Sequence, residues 1–276
     1  MSGDWLNRRV LGYAHQGGAL EAPASTLFAI EKAVSIGIKA VELDLHLSRD
    51  GVVVVNHDDV VDACTNGTGR VSDLNFQEIA ELDAGYRFVG DDGTFPYRGM
   101  RASIPELRLV RIEELLERYP DLIWNFDLKE DYGPDSALEP LVSGLIRRYE
   151  VEENTIVASF HQAPLDRFRS LDPELSTAAS PDEAYGFYAS FQQNGGEPLD
   201  SPPFVALQVP ARLAGAKYLS RDLLEYAHRS GLAVHVWTVD DVNTIEELVA
   251  IGCDGIISDR PSLLQSKLDD LGVLYR

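Results

Sequence analysis

Short apolar, β-branched runs alternate with helix-patterned segments along most of this chain, and that alternation limits the fold more than any other feature. Strand-like runs fall at Val10–Ala14, Ala40–Leu47, Val52–Asn56, Leu122–Leu128, Thr155–Ser159, Ser176–Ala179, Val205–Val209, Ala233–Val239 and Gly255–Ser258. Between them, apolar residues recur at helical spacing over Thr26–Ile36, Ile112–Tyr119, Leu138–Tyr149, Leu165–Leu171, Arg221–Ser230 and Val242–Ile251. Ser25 is the expected cap of the first helix. Strand–helix alternation implies βα units and a parallel sheet. The strand count is close to that of a closed barrel, and no nucleotide-binding fingerprint follows the first strand. The expected fold is therefore α/β, a TIM-type (β/α)8 barrel. The length of 276 residues suits one such domain over 1–276.

Two stretches break the repeat. Residues 59–105 are rich in Gly, Asp and Thr, with one helical pattern near Asn75–Leu82, and read as a small insertion after the second strand region. Gln192–Pro203 reads as a surface loop. No run of apolar residues is long enough for a transmembrane helix. The first ten residues lack the apolar core of a signal peptide, so the expected location is the cytoplasm. A formal charge of −21 argues against a broad nucleic-acid or anionic-membrane surface. The two cysteines, Cys64 and Cys253, cannot build a disulfide framework or a cysteine-rich zinc site.

Polar residues gather at the ends of the early strands. His15 ends the first. Glu42 and Asp44 are two apart on the second, so their side chains leave one face. His57 and Asp58 follow the Val52–Asn56 run, and Asp127 and Lys129 again share a face. In a parallel barrel the carboxyl ends of the strands meet at one mouth, where active sites of this fold lie. Three carboxylates brought together suit a hard divalent cation such as Mg²⁺ or Ca²⁺, which can draw charge from a phosphate oxygen. Two histidines can serve as general base and acid near neutral pH. A lysine adds a compact positive charge for phosphate.

Along nearly its whole length the sequence resembles the glycerophosphodiester phosphodiesterases. AHQGGALEAPASTLFAIEKAVSIGIKAVELDLHLSRDGVVVVNHDDVVD is similar, in order and spacing, to that family's His-Arg-Gly, Pro-Glu-Asn-Thr, Glu-x-Asp and His-Asp sequence. WNFDLKED resembles its acidic-x-Lys strand; VASFHQAPLDRFR and VHVWTVDDVNTIEELVAIGCDGIISDRPSLL resemble its C-terminal half. The resemblance implies His15 and His57 as the acid/base pair, and Glu42, Asp44 and Asp127 as ligands of one cation, Mg²⁺ or Ca²⁺. It implies Lys129, Gln16, Phe160 and Trp237 as substrate-binding residues. The implied reaction is hydrolysis of a glycerophosphodiester to an alcohol and sn-glycerol 3-phosphate. The chain departs from the pattern at Gln16, where the family has Arg, and at Ala24-Ser25, where it has Glu-Asn.

Two alternatives follow. One is lysophospholipase D or sphingomyelinase D-like activity on a lipid substrate, with Tyr86, Phe88, Phe95 and Tyr97 of the insertion lining an apolar entrance. The other is a catalytically weakened binding protein. His46 is a candidate support residue behind the site, while His161, His228 and His235 read as structural or exposed. Asp259 and Arg260 read as a barrel cap, with Arg260 the one candidate to stand in for the missing arginine. Oligomeric state is not legible.

Overall fold

A computed structural model describes residues 4–193, 197–213 and 215–275. Residues 194–196, part of the expected 192–203 loop, lie outside the described residues. The first strand, β1 (Leu11–His15), leads to α1 (Leu27–Ser35), β2 (Ala40–Leu47) and β3 (Val53–Val55). Then come α2 (Phe76–Ala80), α3 (Ile112–Arg118), β4 (Ile123–Leu128), α4 (Leu138–Arg148), β5 (Thr155–Ala158) and α5 (Gln162–Leu171). The chain continues through β6 (Ser176–Thr177), α6 (Pro181–Gln193), β7 (Ala206–Pro210), α7 (Arg221–Arg229) and β8 (Ala233–Trp237). It ends with α8 (Val242–Ile251), β9 (Gly255–Ser258) and α9 (Pro261–Asp270).

The parallel strands run in the order β6-β5-β4-β2-β1-β9-β8-β7, and a parallel bridge between Ala178 and Ala206 joins the two ends. The expected barrel is present, with helices between its strands. The Val52–Asn56 run is not one of its staves. The Asp50-Gly51 turn is too short for a parallel crossover, so β3 folds back antiparallel on β2, pairing Leu45 with Val55 and Leu47 with Val53.

Alternation along the strands separates two cores. On β4, Trp124, Phe126 and Leu128 pack outward beneath the helices. Ile123 points inward, joining Leu11, Tyr13, Ala40, Ile156, Ala206, Ala233 and Ile257 in the barrel interior. Trp5 closes the interior and donates through Nε1 to Ser176 Oγ at 3.1 Å. Gly255 is needed there: a Cβ at this position would lie 2.8 Å from the His235 ring.

The cap of α1 is Thr26, whose Oγ1 accepts from Ala29 N at 3.1 Å. Ser25 instead takes a positive φ of 60° in the turn before it, which corrects the cap expected from sequence. In the 59–105 segment, α2 starts with a reciprocal Asn75/Glu78 capping box. The segment packs on a small core of its own, Val54, Val61, Val71, Ile79, Ala84 and Leu109. Among the described residues, no helix is long and apolar enough to cross a membrane. Cys64 and Cys253 are both free thiols.

Candidate active site

The pairing of β2 with β4 sets Glu42 beside Asn125 and Asp44 beside Asp127. Glu42, Asp44 and Asp127 are all buried, and a carboxylate oxygen from each lies within 4.8 Å of the others. Glu42 Oε2, Asp44 Oδ2 and Asp127 Oδ1 have no hydrogen-bond partner among the described residues. Burial first, then the charge of Asp44, pushes Asp127 up to about 6 and holds Glu42 well above the usual carboxylate range. Three anions forced together in a dry place need a counter-charge. Lys129 supplies part of it, with Nζ 3.2 Å from Asp44 Oδ1 and 3.5 Å from Asp127 Oδ2. The oxygen-only donor set and the orphaned oxygens fit a hard divalent cation.

Each candidate histidine is held by an aspartate. His15 Nδ1 lies 2.6 Å from Asp259 Oδ1, and its Nε2 lies 3.6 Å from Glu42 Oε2. Burial opposes charge on this ring, but Glu42 and Asp259 outweigh it and push His15 up to about 9. Asp259 is itself anchored: its N–H and the Ser258 hydroxyl both donate to Asp240 Oδ1, at 2.8 and 2.9 Å. His57 Nδ1 lies 2.7 Å from Asp58 Oδ1, and its Nε2 lies 3.4 Å from Lys129 Nζ. His46 is buried behind it, Nε2 3.3 Å from the His57 carbonyl oxygen, with burial lowering its pKa.

Asp259 is the residue that sequence reading misplaced. It is not only a cap. The register of β1 with β9 pairs Ala14 with Ser258, which sets the next residues, His15 and Asp259, side by side. The SDRP sequence after the last strand carried that signal, but only barrel closure reveals the neighbour. Arg260 does not stand in for an arginine at this site, because its guanidinium pairs with Asp91 of the insertion at 3.0 Å.

His15, Glu42, Asp44, His57, Asp127 and Lys129 line a cavity of 510 Å³ whose opposite wall is apolar. Phe160 and Trp237, both expected from sequence, meet edge to face at 5.7 Å, and Lys129 Nζ sits 5.6 Å over the Phe160 ring. Tyr185 and Tyr188 of α6 and Leu213 and Tyr218 after β7 complete the wall. None of these last four was singled out in the sequence. The insertion aromatics do not line this cavity. Tyr97 packs against Phe28 and Phe88 at 5.0 and 5.5 Å, and Arg98 covers Phe95 and Tyr86, so the apolar entrance expected there is corrected to α6 and the β7–α7 segment.

Gln16 does not line the large cavity. Its amide Nε2 is 3.3 Å from His15 Nε2, and it borders a separate hollow of 220 Å³ behind His57, with Ala24, Ser25, Asn56 and Cys64. The cavity floor holds Asn125 and Gln208. Asn125 Nδ2 donates to Gln208 Oε1 at 3.2 Å, and Gln208 Nε2 lies 3.4 Å from His235 Nδ1. His235 is fully buried, and burial pushes it down to about 4, so it is neutral. His228 pairs with Asp254 at 2.8 Å, away from this cavity.

The profile of the glycerophosphoryl diester phosphodiesterase family matches residues 15–263. A glycerophosphodiester phosphodiesterase of Caldanaerobacter subterraneus is 31% identical over 93% of this chain and 96% of its own length. Among solved structures, a glycerophosphodiester phosphodiesterase of Agrobacterium tumefaciens superposes with a TM-score of 0.72 at 25% identity, covering 93% of this chain and 99% of that one. An Oleispira antarctica phosphodiesterase in complex with the product sn-glycerol-3-phosphate superposes with a TM-score of 0.72 at 22% identity, covering 95% and 97% of the two chains.

Proposed function

The chain belongs to the glycerophosphoryl diester phosphodiesterase family and is a phosphoric diester hydrolase, and from that premise we propose that it cleaves a glycerophosphodiester to an alcohol and sn-glycerol 3-phosphate. The observation that carries this reading is the convergence of three buried carboxylates, a lysine and two aspartate-held histidines at the mouth of one barrel. The product bound by the Oleispira relative is of the same chemistry.

Glu42, Asp44 and Asp127 would hold one divalent cation, Mg²⁺ or Ca²⁺, which when bound draws negative charge from a phosphate oxygen. Lys129 binds a second phosphate oxygen once substrate displaces it from Asp44 and Asp127. His15 stands between the carboxylates of Asp259 and Glu42 and therefore keeps its proton, which suits it to protonate the leaving alkoxide. His57 presents Nε2 to the Lys129 ammonium at 3.4 Å, an arrangement that suits it to accept a proton from the attacking hydroxyl or water. Asp58 fixes its tautomer by accepting from Nδ1. Phe160 and Trp237 flank the alcohol portion of the substrate.

One observation favours a second substrate class. The apolar wall of the 510 Å³ cavity suits a diester whose other arm carries a lysolipid chain. The deciding assay compares a water-soluble glycerophosphodiester with a lysophospholipid of the same head group, using wild type, His15→Ala and His57→Ala. Turnover of the soluble diester that both variants lose is the expected result. Turnover of the lysolipid alone would move the assignment to lysophospholipase D chemistry. Binding without turnover of either would leave a binding protein.

A further inference from the structure

The acid cluster has a fourth oxygen that no charge argument required. Asn125 is 1% exposed and sits on the inner face of β4, directly across from Glu42 and two residues before Asp127. On a pleated sheet these are nearest neighbours, about 5 Å across the ladder and about 7 Å along the strand. Its Oδ1 is buried with no hydrogen-bond partner among the described residues, as are Glu42 Oε2, Asp44 Oδ2 and Asp127 Oδ1. Asn125 lines the same cavity as the three carboxylates. A buried acceptor left without a donor is costly, so a group of four in one place points to something that they face in common.

A relay sets which way the amide points. Gln208 Nε2 lies 3.4 Å from His235 Nδ1, and in the His235 tautomer with its proton on Nε2, Nδ1 accepts from Gln208, which turns Gln208 Oε1 toward Asn125. Asn125 must then give with Nδ2, which keeps its carbonyl oxygen away from Gln208. His235 is itself wedged in the barrel interior against Tyr13, ring centroids 5.3 Å apart, and Gly255, so the far end of the relay is immobile.

We propose that Asn125 Oδ1 gives the cation a fourth protein oxygen beside Glu42, Asp44 and Asp127, with Gln208 as the positioning residue that aims it. The inference rests on the cation-dependent reading above. A neutral amide oxygen is an ordinary ligand for Ca²⁺, which takes six to eight oxygens, whereas Mg²⁺ keeps more of its waters. The site is therefore expected to favour Ca²⁺.

Calorimetric titration of the chelated full-length protein with Ca²⁺ and with Mg²⁺ tests this without any assay of activity. Asn125→Leu should weaken Ca²⁺ binding about 10- to 100-fold, the range seen when a metal site loses an oriented partner, and weaken Mg²⁺ binding less. Gln208→Leu should weaken Ca²⁺ by a smaller factor. Asn125→Asp, which keeps the oxygen in place and is nearly the same shape, should bind Ca²⁺ at least as tightly as wild type. That variant also decides the matter if Asn125→Leu does not fold. Wild-type affinity in Asn125→Leu would overturn the proposal. So would weak binding in Asn125→Asp, since that result means the amide nitrogen faces the carboxylates. A wild-type protein that binds neither ion would overturn this inference and the cation-dependent reading together, while unaffected variants of a cation-binding wild type would overturn this inference alone.

Discussion

The two halves of the barrel mouth differ in kind. From β1, β2, β4 and the loop after β3 come every charged or imidazole side chain that lines the cavity: His15, Glu42, Asp44, His57, Asp127 and Lys129. From residue 158 to residue 238, the lining contains no Asp, Glu, Lys, Arg or His. That half offers Phe160, Tyr185, Tyr188, Leu213, Tyr218 and Trp237 instead. The contrast has a physical basis. Carboxylates must be held against their own repulsion, and adjacent strands locked by a hydrogen-bonded ladder can do that, as Asp44 and Asp127 on paired rungs show. An apolar wall needs only shape and area, which a helix such as α6 and a loop after β7 can supply. On the proposed reading, the charged half breaks the bond and the apolar half chooses what is broken.

The largest expected effect tests the charged half. Asp127→Asn, which removes a cation-holding charge, should abolish turnover, and His57→Ala should lower kcat by roughly 10²–10⁴-fold on any diester, both measured at saturating substrate. A near-wild-type rate in either would mean that the chemistry lies elsewhere. Next comes the apolar half. Trp237→Ala should lower kcat/KM for a diester with an apolar arm by about 10- to 100-fold, the worth of one large side chain's contact. The same variant should change kcat little for a glycerol diester with a small polar arm. Equal losses on both substrates would erase the division of labour.

A subtler effect concerns the one group that reaches the charged half from the end of the chain. Asp259 favours the charged form of His15, so removing it lowers the His15 pKa. If His15 gives up a proton in the reaction, activity falls as pH rises through that pKa. Asp259→Asn should then move the alkaline limb of the rate profile to lower pH, with a smaller loss at the optimum than His15→Ala. An unmoved limb would assign Asp259 to barrel closure alone. The smallest effect is expected at Arg260. Its partner Asp91 is on the surface, and exposed pairs contribute little. Arg260→Ala should leave kcat/KM within about twofold, and a larger loss would restore Arg260 as a phosphate contact.

The charged half was legible in the sequence because its residues lie two apart on strongly patterned strands, Glu42-x-Asp44 and Asp127-x-Lys129, so alternation alone aims them inward. The apolar half was legible only at Phe160 and Trp237, and those only through family resemblance. Helix α6 was missed because PDEAYGFYASFQQ has no clear apolar stripe, and only Phe187 of it is buried. Tyr185 is exposed at the cavity, while Tyr188 both lines the cavity and packs against the outer core. Asp259 stands 244 residues from His15, and the contact exists only because β9 closes on β1. Asn125 shares the alternation of Asp127 and Lys129 but carries no charge, and Gln208 sits among hydrophobic neighbours, so the chemistry of neither marks it in the sequence. The insertion aromatics misled because composition shows that a ring is present but not which way it faces.

The central claim is that the buried acid cluster works through a divalent cation. Hydrolysis of a glycerophosphodiester should be followed after exhaustive chelation, then during titration with Mg²⁺ and with Ca²⁺, with Asp127→Asn alongside. The account predicts no turnover in the chelated enzyme, recovery that saturates with one cation, and no recovery in Asp127→Asn. Full turnover by the chelated wild type would contradict it.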